Sequence, residues 1–303
     1  MHAPAATAES PFAAPSGGSL WRRRLTDRAM TGLIGLAFAL ALVPLFSLLF
    51  QVVKRGLPGI SWEFFTTSSR GVIGGGGAAH AIVGTVVITA ATAAISVPIG
   101  ILAAVYLNEY GARGRLARAL TFFVDVMTGI PSIVAGLFAY ALFAIFLGPG
   151  IRLGLMGAVA LSVLMIPIVI RSSEEVLKIV PNHLREASYA LGTPKWRTIV
   201  KVVLPTAFAG LVTGTMIAVA RIVGETAPLL VTTGVVDSIN ANPFEGRMQN
   251  LTVYAYSEYR TPGVMKQASY DRAWAAALTL IAIVMILNLV ARFVYRRYRT
   301  EIR

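Results

Sequence analysis

Arg221 and Glu225 stand four residues apart inside an otherwise apolar stretch, about 206–232. Placing either charge at the middle of a bilayer costs at least about 2.5–3.5 kcal/mol, so both must face protein or water rather than lipid. Two chemistries suit such a pair. In the bland one the charges neutralise each other at i, i+4 and fix packing. In the other, Arg221 offers a planar, permanently charged guanidinium to an oxyanion, while Glu225 holds it when the path is empty and yields when substrate passes. Gly210, Gly214, Ala218, Arg221 and Glu225 are spaced to share one helical face, whose small residues permit close helix contact. Gly224 and Pro228 are placed either to break the helix and free backbone amides for an oxyanion, or simply to pack and kink it. Two further charges lie near the ends of apolar stretches. Arg171 suits an exit-side anion contact or plain snorkelling, and Asp125 suits snorkelling or a helix N-terminus.

The elements that must position these groups follow from composition. Hydrophobic residues make up 56% of the 303, charged residues 14%, and mean hydropathy is +0.69. The apolar residues fall in runs long enough to cross roughly 30 Å of hydrocarbon as helix. This is an all-α integral membrane chain with six expected spans, at about 30–53, 79–107, 119–147, 153–170, 206–232 and 273–294. Residues 1–29 read as a disordered tail ahead of a six-helix domain at 30–298, with 299–303 as a short end. The formal charge of +13 does not point to nucleic acid, because Lys and Arg concentrate in the tail, the 108–118 and 171–205 loops and the C-terminal end. By the positive-inside rule that alternation puts both termini in the cytoplasm and leaves two long external loops, 54–78 and 233–272.

Several chemistries are excluded. Without cysteine there are no disulfides, thiolate metal sites or thiol nucleophiles. The run from Gly74 to Gly77 has no Lys-Ser/Thr and reads as a flexible connection; no Gly-Lys pair occurs anywhere, so any nucleotide-driven work must come from a partner. His2, His80 and His183 lack ligand spacing, and no nucleophile or paired-carboxylate constellation appears, so neither a metal site nor an enzyme is expected.

The 171–205 loop predicts a helical hairpin. Pro181 suits the first turn of a helix ending at Leu191, with Gly192 closing it. Thr193 and Pro194 then start a second short helix carrying Trp196, Ile199, Val200 and Val203 as an apolar stripe, and Pro205 opens the next span. The spacing of Glu186, Ala187, Gly192, Leu204 and Pro205 resembles the EAA loop of binding-protein-dependent ABC importer permeases, with Ser188 and Val202 in place of the usual Ala and Ile. In that family the hairpin docks into a groove of the ATPase; the plain alternative is an interfacial amphipathic linker.

Further segments are similar to one branch of that family, the phosphate-specific permeases of PstA type: RIVGETAPLL from Arg221 to Leu230, HAIVGTVVIT from His80, GIPSIVAGLFAYALF from Gly129 and AWAAALTL from Ala273. The resemblance spans about residues 30–298. It implies the type I, MetI-like permease fold, a substrate pathway that includes Arg221, Glu225 and Thr226, and no catalysis in this chain. It also implies a homologous PstC-type permease, two copies of a PstB-type ATPase and an external PstS-type phosphate-binding protein docking on the external loops. The competing expectations are a permease for sulfate or molybdate and an ion-coupled secondary anion transporter.

Overall fold

The computed structural model describes residues 17–73, 75–111 and 114–298. Of the expected tail, residues 1–16 lie outside that description, as do Gly74 and the 299–303 end. The chain divides into two units, the first ending at Gln51 and the second running from Val52.

The first unit is formed by helix α1, Gly17–Gly56, whose last turn belongs to the second. The helix begins well before residue 30, so 17–29 are helical rather than part of a tail. From Ser19 to Val43 no proline interrupts it, and Leu25, Arg22 to Arg24 and Arg28 are good helix formers. Pro44 lies inside the helix, which membrane helices tolerate.

Among the described residues of the second unit the regular elements are all helical, apart from one isolated bridge between Ser69 and Gly76. Short α2, Trp62–Thr66, is capped by the Ser61 hydroxyl accepting from the Phe64 N–H at 3.1 Å. It leads to α3, Ala79–Val105. Between them Gly76 and Gly77 are packed against the backbone of Ser68, Glu63 and Phe64, which the reading of a flexible connection did not foresee. Gly76 has φ +75°, and a Cβ there would stand 2.2 Å from the Ser68 carbonyl oxygen. Only glycine meets both conditions.

Next come α4, Arg115–Gly129, and α5, Ser132–Leu147, which meet at 110°. The single straight span expected over 119–147 is therefore broken. Pro131 removes a backbone donor and forces Ile130 into extended conformation, φ −73° and ψ 127°. Each arm is roughly 23 Å long, short of the hydrocarbon thickness. Five other helices are long and apolar enough to cross a membrane, and the bent pair makes a sixth if counted as one span. The protein is a multi-pass membrane protein.

Helix α6, Gly154–Ile179, packs along α3, with Gly100 seated against Val169. It runs nine residues past the expected end at Ile170, because no proline or glycine lies between Ile170 and Pro181 and Leu177 is fully buried. The hairpin is thus shorter than 171–205: α7, Asn182–Ala190, then α8, Lys195–Thr198. A wide π turn at Ile199–Val203 joins α8 to α9, Leu204–Val223, as one helical stretch. Pro205 lies in the first turn of α9, as expected, where its missing N–H is tolerated, directly after the π turn. Then follow α10, Ala227–Thr232; α11, Leu251–Arg260; and α12, Lys266–Tyr298. The α11 segment lies in the expected 233–272 loop, yet Leu251, Val253 and Tyr254 are buried against α3 and α12. Much of that loop is core.

Candidate functional site

The apolar, small-residue face expected on α9 is present. Gly210 sits against Val176 and Gly214 against Ser172, both on α6, and Ala218 is fully buried. Arg221 lies at the end of this face and is exposed. Among the described residues no ion pair within 4.0 Å joins it to Glu225 or to any other acid. Mutual neutralisation at i, i+4 is therefore not what the structure has. The reason is local: α9 stops at Val223, Gly224 caps it, and Glu225 falls beyond the last turn, off the helical face.

Glu225 is held instead through its backbone. Its N–H donates to the Ile222 carbonyl at 3.0 Å, and the Gly224 N–H donates to Arg221 at 3.3 Å. Those two amides are thus occupied, contrary to the expectation that the break frees them for an oxyanion. The Glu225 carbonyl accepts from the buried Thr252 hydroxyl at 2.9 Å, and Asn250 Nδ2 donates to Thr252 Oγ1 at 2.6 Å. Asn250 also caps α11, its Oδ1 accepting from the Val253 N–H at 3.2 Å. On the other side of the break, Gly136 of α5 meets the Pro228 backbone so closely that a Cβ would stand 2.6 Å from Pro228 Cα. The break at Gly224–Thr226 is thereby clamped between α5 and α11. Asn250 and Thr252 escaped the sequence reading; the Asn-x-Thr spacing before an apolar turn is a capping signal, and nothing in it points to Glu225.

The expected Arg171 contact is arranged differently from Arg221. Arg171 Nη2 pairs with Asp125 on α4, and Nη1 donates to Glu174 at 3.0 Å, where Glu174 is buried. Two carboxylates satisfy this one guanidinium and leave the cluster net negative, a poor receptor for an anion. Asp125 thus ties α4 to α6 instead of snorkelling.

On the hairpin, Pro181 precedes α7 and Gly192 adopts φ +72° just after it, as expected, whereas Pro194 rather than Thr193 takes the N-cap of α8, with no side-chain cap bond. Glu186, Ala187 and Gly192 are exposed. Leu191 (85% exposed), Trp196 (58%) and Val200 (54%) add an apolar patch, while Ile199 and Val203 turn inward. The Ser188 hydroxyl hydrogen-bonds Thr198 Oγ1 at 2.8 Å, joining α7 to α8, a contact an alanine would lack. Arg185 anchors the hairpin: Nη2 and Nε reach Glu109 Oε1 at 2.8 and 3.2 Å, and Nη1 reaches the Val180 carbonyl at 2.7 Å. Lys195 donates to the Glu109 carbonyl and sits 4.7 Å over the Tyr110 ring. Leu204 and Pro205 lie at the start of α9, where Leu204 packs on Val203 and Ala207. The hairpin is a rigid unit fixed to the end of α3, presenting an uncovered face.

Residues 96–303 match the family described as binding-protein-dependent transport system inner membrane component. The phosphate transport system permease protein PstA 1 of Mycobacterium tuberculosis is 45% identical over 285 residues, covering 92% of this chain and 91% of that protein. The PstA proteins of Mycobacterium leprae and Yersinia pestis are 44% and 38% identical, over 88% and 91% of this chain. Among solved structures, an inward-facing MetNI methionine ABC transporter is similar at TM-score 0.56 and 24% identity over 72% of this chain and 93% of its own. A bacterial alginate ABC transporter is similar at TM-score 0.65 and 14% identity, over 93% and 98%. These two likenesses show the fold.

Proposed function

The chain belongs to the binding-protein-dependent inner-membrane transport components and, among them, to the PstA phosphate permeases, and on that premise we propose that phosphate crosses the membrane beside Arg221, at the break between α9 and α10. The protein is a non-catalytic membrane permease subunit of a phosphate-specific ABC importer.

One observation carries the pathway reading: Arg221, in the last turn of the apolar helix α9, is exposed and has no ion pair among the described residues. A charge within an apolar span must be met by something that is polar. Its complement is the anion in transit, with a facing permease of PstC type supplying the other wall. Planar guanidinium matches two phosphate oxygens at once. Glu225, displaced past the helix end, keeps negative charge near without occupying Arg221, so phosphate is received and released rather than trapped. The Thr226 hydroxyl offers one further donor. Arg171, already held by Asp125 and Glu174, serves packing at the inner end of the path.

The exposed hairpin face, with Glu186, Ala187, Leu191 and Trp196, docks the ATPase, which binds ATP and Mg. Because Arg185 and Lys195 fasten the hairpin to the end of α3 and α9 grows directly from α8, ATPase closure moves both helices together. An external phosphate-binding protein delivers substrate to the opposite face. Both termini lie in the cytoplasm of a prokaryotic cell, as the charge distribution and hairpin placement support.

The test is ATP-dependent uptake of labelled phosphate by vesicles reconstituted with the two permeases, the ATPase and the binding protein. Arg221→Gln should lower uptake at least about tenfold, as for loss of a charge-assisted contact, while assembly and ATP binding persist and excess sulfate leaves wild-type uptake intact. Normal uptake by the variant would remove Arg221 from the path, and competition by sulfate would overturn the phosphate assignment.

A further inference from the structure

A groove of about 810 Å³ opens between α9 and α12, and its Ile217 lies one helical turn from Arg221 on α9. One wall carries Thr213, Met216 and Ile217 of α9, and the other Asn288, Arg292 and Arg296 of α12. The two helices run antiparallel: Val219 and Ile222 pack with Leu280 and Ile283, and Thr213 lies toward Tyr295. The arginine end of the groove therefore lies on the side of the bundle from which α9 emerges out of the hairpin. Arg292 and Arg296 are one helical turn apart on one face, both exposed, and neither has an ion pair among the described residues.

The groove is thus polar and doubly cationic at its outer rim and apolar along its floor, where Ile217 is 58% exposed and Ala291 is buried. An inorganic anion would use the rim and leave the floor wet. A second helix would cover the floor and strand two cations. A lipid with a phosphate headgroup meets both, since basic pockets between spanning helices at the cytoplasmic side collect anionic headgroups, and the volume is of the size that holds a sizeable organic group. We propose that this groove binds one anionic glycerophospholipid, with Arg292 and Arg296 on its phosphate and Met216 and Ile217 along its acyl chains. Assignment to the inner leaflet rests on the orientation proposed above; headgroup binding does not.

The experiment places the assembled transporter in nanodiscs whose two leaflets are identical, equimolar phosphatidylcholine and phosphatidylglycerol, so its outcome is independent of orientation. Electron paramagnetic resonance then compares immobilised spin-labelled phosphatidylglycerol with spin-labelled phosphatidylcholine. Wild type should prefer phosphatidylglycerol, and Arg292→Gln with Arg296→Gln should lose about fivefold of that preference per arginine. Restoring charge with Arg292→Lys and Arg296→Lys should recover most of it. Arg296→Gln alone keeps the test open should the double variant fail to assemble. An unchanged preference in the Gln variants, equal immobilisation of both lipids by wild type, or displacement of the labelled lipid by free inorganic phosphate would each overturn the proposal.

Discussion

The Thr252 hydroxyl donates a hydrogen bond to the Glu225 carbonyl at 2.9 Å, across 27 residues of sequence. It joins the capped start of α11 to the point where the helix carrying Arg221 ends, so α11 and the α9–α10 break are one hydrogen-bonded piece. Thr252→Val keeps the shape and removes the hydroxyl, leaving the Glu225 carbonyl without this donor and Asn250 Nδ2 without this acceptor, at a cost of about 1–3 kcal/mol for each group left unsatisfied. Phosphate uptake should fall severalfold while assembly with the ATPase is retained. Unchanged uptake would mean that the break holds its geometry without α11.

The hairpin depends on a nearly buried ion pair, with Arg185 13% and Glu109 5% exposed at the side chain. Arg185→Met strands the Glu109 carboxylate and should destabilise that region by about 3–5 kcal/mol. ATPase capture by the purified permease pair should drop with it. If Arg185→Met together with Glu109→Leu restores capture, the pair serves geometry; if not, its charge is itself needed.

Gly76 gives a sharper structural test. At φ +75°, with the Ser68 oxygen where a Cβ would go, Gly76→Ala adds steric conflict to about 1–2 kcal/mol of left-handed backbone strain. The turn should open, and protease cleavage between residues 66 and 78 should rise in the intact transporter. Wild-type resistance in the variant would show that the turn is a loose connection after all.

Tyr254, buried in the outer segment, has its pKa pushed well above the ordinary tyrosine range, first by desolvation and then by the nearby Glu258 charge. The folded protein therefore keeps the phenol proton where the unfolded chain loses it. This contribution to stability is complete below about pH 10 and declines as pH rises beyond it toward the folded value. Melting measured from pH 8 to 11 should show a steeper alkaline loss for wild type than for Tyr254→Phe. Parallel curves would place Tyr254 outside that titration.

Features governed by near neighbours in the chain were legible in advance. The membrane class follows from run length and hydropathy, whatever the packing. Pro181 and Gly192 mark the ends of α7 because capping geometry is set within a few residues, and the close-packed face of Gly210, Gly214 and Ala218 follows from helical period alone. Arg221 stood out because a lone charge in an apolar run is costly wherever its helix goes.

Spacing misled where it assumed that a helix continues. Arg221 and Glu225 are four apart in sequence, but α9 stops at Val223, so the pair does not form. Likewise 119–147 is long enough for one straight span, and Pro131 turns it by 110°. A proline announces a break but not its angle, which depends on what each arm packs against.

What the sequence by itself determined is therefore the list of parts: apolar helices, a capped hairpin and one arginine that must face protein or water rather than lipid. Only the tertiary structure decided which partners are already taken. Asp125 and Glu174 occupy Arg171, Glu109 occupies Arg185, and Thr252 holds the Glu225 backbone, while Arg221 has no ion pair among the described residues. The physical reason is range. Helix period and capping act within a turn or two of chain, whereas an ion pair between residues 76 positions apart, such as Arg185 and Glu109, exists only when packing has brought their helices together.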